Sequence, residues 1–140
     1  METATVNSTF RFSKYIINEA LMNIKDFAVS NELDIEIDVT PLFDTDKSED
    51  QVSLMVDLRD KNDNFSLHIK MTGYFVSEME DDNQRKNFIC LNAPAILFPY
   101  VRTYISSMTS QAGIGAVILP TINLHSYGKR LLEKLNSKKS

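Results

Sequence analysis

The sequence predicts an α+β domain: a four-stranded antiparallel sheet, then a long helix kinked at a proline, then a shorter C-terminal helix. Three observations carry the prediction. Apolar and polar residues alternate over three stretches between Leu33 and Met71. A wide apolar stripe at helical spacing runs from Ala93 to Ser110, and a narrower one closes the chain. The 140 residues, 43% of them hydrophobic, are read as one domain, 1–140, with no internal repeat or boundary.

The elements follow in order. Phe10 to Ile24 is ambiguous by pattern. Phe10, Phe12, Ile16, Ala20, Met22 and Ile24 would share one strand face, but Ile16, Ile17, Ala20, Leu21 and Ile24 also make a helical stripe. Leu33, Ile35, Ile37 and Val39 alternate with Asp34, Glu36 and Asp38, the pattern of a strand with one wet face. Val52, Leu54, Val56 and Leu58 repeat it, as do Phe65, Leu67, Ile69 and Met71. Asp60 to Asn64 reads as a hairpin turn, so these three strands should pair antiparallel. After Gly73 the sheet continues through Tyr74, Phe75 and Val76 to an acidic turn at Glu78 to Asp82. The long helix carries Ile96, Leu97, Tyr100, Val101, Tyr104, Ile105 and Met108 on its stripe; Pro94 suits its first turn and Pro99 should kink it. Val117 to Pro120 reads as extended, and a last helix from about Leu124 aligns Tyr127, Leu131, Leu132 and Leu135. Residues 1–7 and 137–140 are expected to fray.

Charge and composition exclude several classes of function. The net charge is −4, with acids crowding Asp26 to Asp63 and bases dominating beyond Asp82, where Glu133 stands alone against Arg85, Lys86, Arg102, Lys129, Arg130, Lys134, Lys138 and Lys139. The basic residues are not interleaved with aromatics, so no nucleic-acid partner is expected. His68 and His125 are far apart, the single Cys90 offers no CxxC, and no metal site is expected. Gly113-Ile114-Gly115 follows a helix instead of leading a strand into one, so it reads as a helix cap rather than a phosphate cradle. No paired nucleophile and base emerges, and neither enzymatic turnover nor a cofactor is expected. Met1 to Ala4 has no signal-peptide character and no apolar run nears a membrane span, so a cytoplasmic location without membrane insertion is expected. What is in excess is apolar surface, which marks a subunit interface or a binding groove, with simple core packing as the alternative.

The run Asn92-Ala93-Pro94-Ala95-Ile96-Leu97-Phe98-Pro99-Tyr100-Val101-Arg102, continued by Ile105-Ser106-Ser107-Met108, resembles the hallmark helix of the SecB protein-export chaperone family. Leu119-Pro120-Thr121-Ile122-Asn123-Leu124 is similar to the family's lead-in to its last helix, and Gly73-Tyr74-Phe75 to its fourth strand. The resemblance implies that Phe10 to Ile24 is a strand. It implies an ATP-independent holdase, a homotetramer built as a dimer of dimers, that holds unfolded precursor proteins in hydrophobic grooves for the Sec translocase and its motor SecA. Some SecB-like proteins serve the antitoxin of a toxin–antitoxin system instead, and that is the alternative.

By the same resemblance, Val29, Phe65, Tyr127 and Leu131 line the client groove, while Leu67, Ile69, Met71, Tyr104, Ile105 and Met108 serve assembly. Glu19 keeps one acidic position of the family's motor-docking patch. Asn23 and His68 stand at two others, which reduces the patch.

Overall fold

A computed structural model describes residues 10–44, 49–77 and 81–137. The strands are β1 (Phe10–Ile24), β2 (Leu33–Leu42), β3 (Glu49–Asp60) and β4 (Phe65–Ser77). They form one antiparallel sheet in the order β1-β4-β3-β2, leaving β1 and β2 at the edges. Asp60 sets the β3–β4 turn. Its buried carboxylate accepts from the backbone N–H groups of Asn64 (2.7 Å), Phe65 (2.8 Å) and Ser30 (3.0 Å), tying the loop after β1 to the hairpin. Burial pushes this carboxyl up, but the backbone donors prevail and hold it below its ordinary value.

The ambiguous first segment is a strand, but its faces differ from the expected ones. The register against β4 shifts twice, between Phe12 and Lys14 and between Ile17 and Glu19. Each extra residue flips the alternation. Ile16 therefore pairs with Thr72 on the outer face and is 50% exposed, whereas Ile17 pairs with buried Met71. Asn18, at the second shift, accepts a hydrogen bond from the Thr72 hydroxyl.

Helical structure begins earlier than the apolar stripe predicts. Asp81 caps α1 (Asp82–Asn87) by accepting from the Asn83 N–H. A π-helical turn (Phe88–Asn92) then joins α1 to α2 (Ala93–Gln111). The polar residues of α1 obscure it in the pattern; Arg85 anchors it. The Arg85 guanidinium meets both oxygens of the fully buried Asp50 and donates to the Asp44 carbonyl, pinning α1 to both sides of the β2–β3 connection. The π-helical turn lies just before Pro94, which has no N–H to return to the Cys90 carbonyl four residues earlier. The helix also continues through Pro99.

The core lies between the inner sheet face and α2. Leu97, Val101 and Ile105 are buried with Val52, Leu54, Val56, Leu67, Ile69 and Met71. The helix approaches closely at Gly73, where a Cβ would fall 2.4 Å from a Leu97 methyl. The helical run 82–111 is long and apolar enough by length and composition to cross a membrane, but its inner row is packed on the sheet, as in a core helix. The last helix is α3 (Leu124–Ser137). Ser137, expected to fray, ends α3 with its hydroxyl donating to the Lys134 carbonyl. Residues 1–7, 138–140 and the 78–80 part of the acidic turn lie outside the described residues.

Candidate functional site

The position of α3 rests on one glycine. Gly128 is buried against the π-helical turn, and a Cβ there would fall 2.0 Å from the Cys90 carbonyl oxygen. This contact leaves the face of α3 bearing Tyr127, Leu131 and Leu135 turned toward the edge strand β2. Between them runs an open groove of about 510 Å³, lined by residues 38–41 of β2 and by Tyr127, Arg130, Leu131, Lys134 and Leu135 of α3.

Tyr127 spans this groove. Its phenol donates to the Asp38 carboxylate at 3.1 Å, and the Arg130 guanidinium lies over its ring, 5.5 Å from the centroid. Burial first, and then the Asp38 carboxylate, push the phenol up from its ordinary value, so it stays protonated and donating. Leu131, Leu135 and Pro41 give the groove a partly covered aliphatic floor beside buried Val39, while Thr40, Arg130 and Lys134 supply its polar rim. Such a channel can hold an apolar chain segment without reading its sequence through buried polar groups.

The structure brings two of the four expected client-binding residues together, Tyr127 and Leu131. Val29 sits half-buried in the loop after β1 and packs against the core. Phe65 corrects the expectation: it opens β4 on the inner face and is 1% exposed, so it offers no surface to a client. The same parity corrects the expected assembly residues Leu67, Ile69 and Met71, which lie fully buried between sheet and helix, as does Ile105 on the inner row of α2. Tyr104 and Met108 are half-buried. With Ile96 and Tyr100 they form a second row at four-residue spacing, and Tyr100 is 41% exposed. Beside this row, Tyr100 meets Tyr15 and Phe12 of edge strand β1, with ring centroids 4.9 and 5.4 Å apart. Part of the apolar surface the sequence holds in surplus is this outer row, next to the edge strand β1; Leu21, Phe27, Leu42 and Ile118 are exposed elsewhere.

Asp38, Val39, Thr40, Pro41, Arg130, Lys134 and Leu135 were not anticipated as groove residues. Leu135 was legible as the third member of the Tyr127, Leu131, Leu135 series. The strand residues were not, since nothing local marks β2 as an edge.

The outer sheet face carries Glu19, Asn23 and His68. His68 bridges three strands: Nδ1 lies 2.7 Å from Asp57 on β3, and Nε2 lies 2.8 Å from Glu19 on β1. The hydrogen bond to Asp57, then that to Glu19, raise the imidazole above its ordinary value against the opposing effect of burial. Glu19 is therefore engaged by an imidazole, and its charge is offset when His68 is protonated. Asn23, Asp34 and Glu36 border the same depression.

Among the described residues no group of three or more His, Cys, Asp and Glu is arranged to hold a metal ion. Burial pushes the Cys90 thiol up to about 11, against the smaller effect of Lys86, which leaves it a poor nucleophile at neutral pH. Gly113 caps α2 by donating to the Ser110 carbonyl.

Comparison with known proteins agrees with this architecture. Residues 14–132 match the family model described as preprotein translocase subunit SecB. The chain is 37% identical over 79 residues to the protein-export protein SecB of Anaplasma phagocytophilum, a match spanning 54% of this chain and 50% of that protein. It is 23% identical to SecB of Rickettsia typhi, across 95% of this chain and 99% of the relative. Among solved structures it is similar to a Mycobacterium tuberculosis SecB-like chaperone in complex with a ChAD peptide from an antitoxin. That similarity has a TM-score of 0.70 at 13% identity and covers 82% of this chain and 88% of that one. With the motif at Pro94 to Arg102, the four-stranded sheet and its two long helices in place, the chain belongs to the SecB family.

Proposed function

We propose that this chain is an ATP-independent holdase that keeps unfolded precursor proteins export-competent for the Sec translocase, working as a cytoplasmic homotetramer. The observation that carries the reading is the open groove between β2 and α3, with an apolar row of Tyr127, Leu131 and Leu135 along its length. Each well-buried aromatic or leucine contact to a client contributes on the order of 1–2 kcal/mol, at roughly 25 cal/mol per Å² of apolar surface removed from water. Several weak contacts along one channel suit many unrelated clients. Assembly uses the outer row Ile96, Tyr100, Tyr104 and Met108 with the edge strand β1.

The test is suppression of aggregation of an unfolded precursor. Tyr127→Ser with Leu131→Ser should weaken client capture by about tenfold, or 1.4 kcal/mol. Both side chains are only partly buried, so the fold should survive. Undiminished suppression by the folded double variant refutes the groove.

A second reading is a chaperone dedicated to one antitoxin. It is favoured by the outer face, where His68 engages both Glu19 and Asp57 and leaves less negative charge for a motor protein. Capture of SecA supports export; capture of one dominant antitoxin supports the second reading.

A further inference from the structure

Strand β2 has β3 on one side and the groove on the other. One residue tells which backbone groups it turns toward the groove. Pro41 has no N–H, and a proline sits within an edge strand with its nitrogen facing away from the ladder. In an antiparallel pair, alternate residues turn their N–H and C=O groups the same way. Val39 therefore points its N–H and C=O into the groove, beside the Pro41 carbonyl, while Asp38 and Thr40 turn theirs to β3. Tyr127 agrees with this placement. Its phenol oxygen meets the Asp38 carboxylate and also feels the Val39 N–H, which works against the upward push on the hydroxyl. Among the described residues no backbone group outside the sheet bonds to residues 37–41.

An unpaired strand edge is a template for another extended chain. Here it runs beside the apolar row Tyr127, Leu131 and Leu135 in one groove. We infer that an extended client segment adds to β2 as a fifth strand, its backbone taking the Val39 N–H from the Tyr127 hydroxyl while every second side chain lies against the α3 row. This rests on the holdase reading and names the class of segment the groove takes. Main-chain hydrogen bonds hold the segment whatever its sequence, and the apolar row selects apolar residues at alternate positions. The intervening side chains point to the opposite side, away from α3. A proline at a bonding position removes a donor and excludes the segment from that register.

The experiment uses the full chain and three fluorescein-labelled peptides of one sequence, Phe and Leu alternating with Gln. One is unmodified, one is N-methylated on every Phe and Leu, and one is N-methylated on every Gln. Strand addition uses the N–H groups of one parity only, so by fluorescence anisotropy one methylated peptide should bind at least about tenfold more weakly than the unmodified peptide and the other within about twofold of it. Amide hydrogen exchange on the unaltered chain locates the added strand. The unmodified peptide should slow exchange at Val39 by at least about tenfold and leave Thr40, whose N–H faces β3, nearly unchanged. Two methylated peptides that bind equally well, or equally poorly, overturn strand addition and leave the holdase reading standing. A parity effect without protection of Val39 also overturns it, because the strand then adds elsewhere. Failure of the unmodified peptide to bind overturns both readings.

Discussion

Gly128→Ala reverses the usual expectation for a glycine in a helix. In an exposed helix interior, replacing Gly with Ala stabilises by about 1 kcal/mol, because the glycine backbone has more freedom to lose. Gly128 is not exposed. Its Cβ would stand 2.0 Å from the Cys90 carbonyl oxygen and 2.9 Å from the carbonyl carbon. Both are backbone atoms of the π-helical turn and cannot swing aside as a side chain would. The whole of α3 must lift. Overpacking at a well-filled site costs about 1–3 kcal/mol, and a collision with backbone belongs at the upper end. Set against the propensity gain, the net loss is about 2 kcal/mol, or roughly 6–10 °C in melting temperature for a chain of this size. Lifting α3 also separates Tyr127 from Asp38, so client capture should fall with stability. Urea denaturation gives the stability, and hydrogen exchange resolved along the chain tells whether α3 loosens first. A Gly128→Ala variant more stable than the parent, with α3 amides equally protected, refutes the docking argument.

Two other outcomes follow from the ion pairs. Arg85→Met leaves the Asp50 carboxylate fully buried with only backbone partners, and should cost about 3–5 kcal/mol in urea denaturation. Pairing it with Asp50→Leu should recover most of the loss, because no uncompensated charge then remains. His68 sits between Glu19 and Asp57 with its folded value raised above the ordinary 6.5. Its contribution to stability is thus complete below about pH 6.5 and fades as pH rises through the raised value. The stability gap between the parent and His68→Gln should be widest at mildly acidic pH and close under alkaline conditions. It should stay below about 1 kcal/mol, since both carboxylates are substantially solvated. A gap independent of pH would show that the imidazole does not titrate between these partners.

Much of the architecture is a local property of this sequence. Period-two alternation from Leu33 to Met71 identifies β2, β3 and most of β4, because each strand buries one face and wets the other. The Asp60 to Asn64 turn composition sets their antiparallel pairing, and the α2 and α3 stripes place two helices. Periodicity put Tyr127 and Leu131 on one face of a short helix, but only the family resemblance pointed to a groove there.

Other features depend on contacts between residues far apart. Two register shifts in β1 exchange Ile16 and Ile17 between faces, and only pairing with β4 reveals them. The helix α1 owes its anchorage to Asp50, 35 positions away, so its polar residues show no apolar period of their own. The arrangement β1-β4-β3-β2 decides that β2 is an edge, and the close fit of Gly128 over the Cys90 carbonyl decides that α3 faces that edge. Neither fact belongs to any one segment. Periodicity reports which face of an element is buried, because burial repeats with the backbone's own geometry. Which element covers that face, and what groove remains beside it, is decided by packing among distant residues, and so Asp38 and Tyr127 meet only in the folded chain.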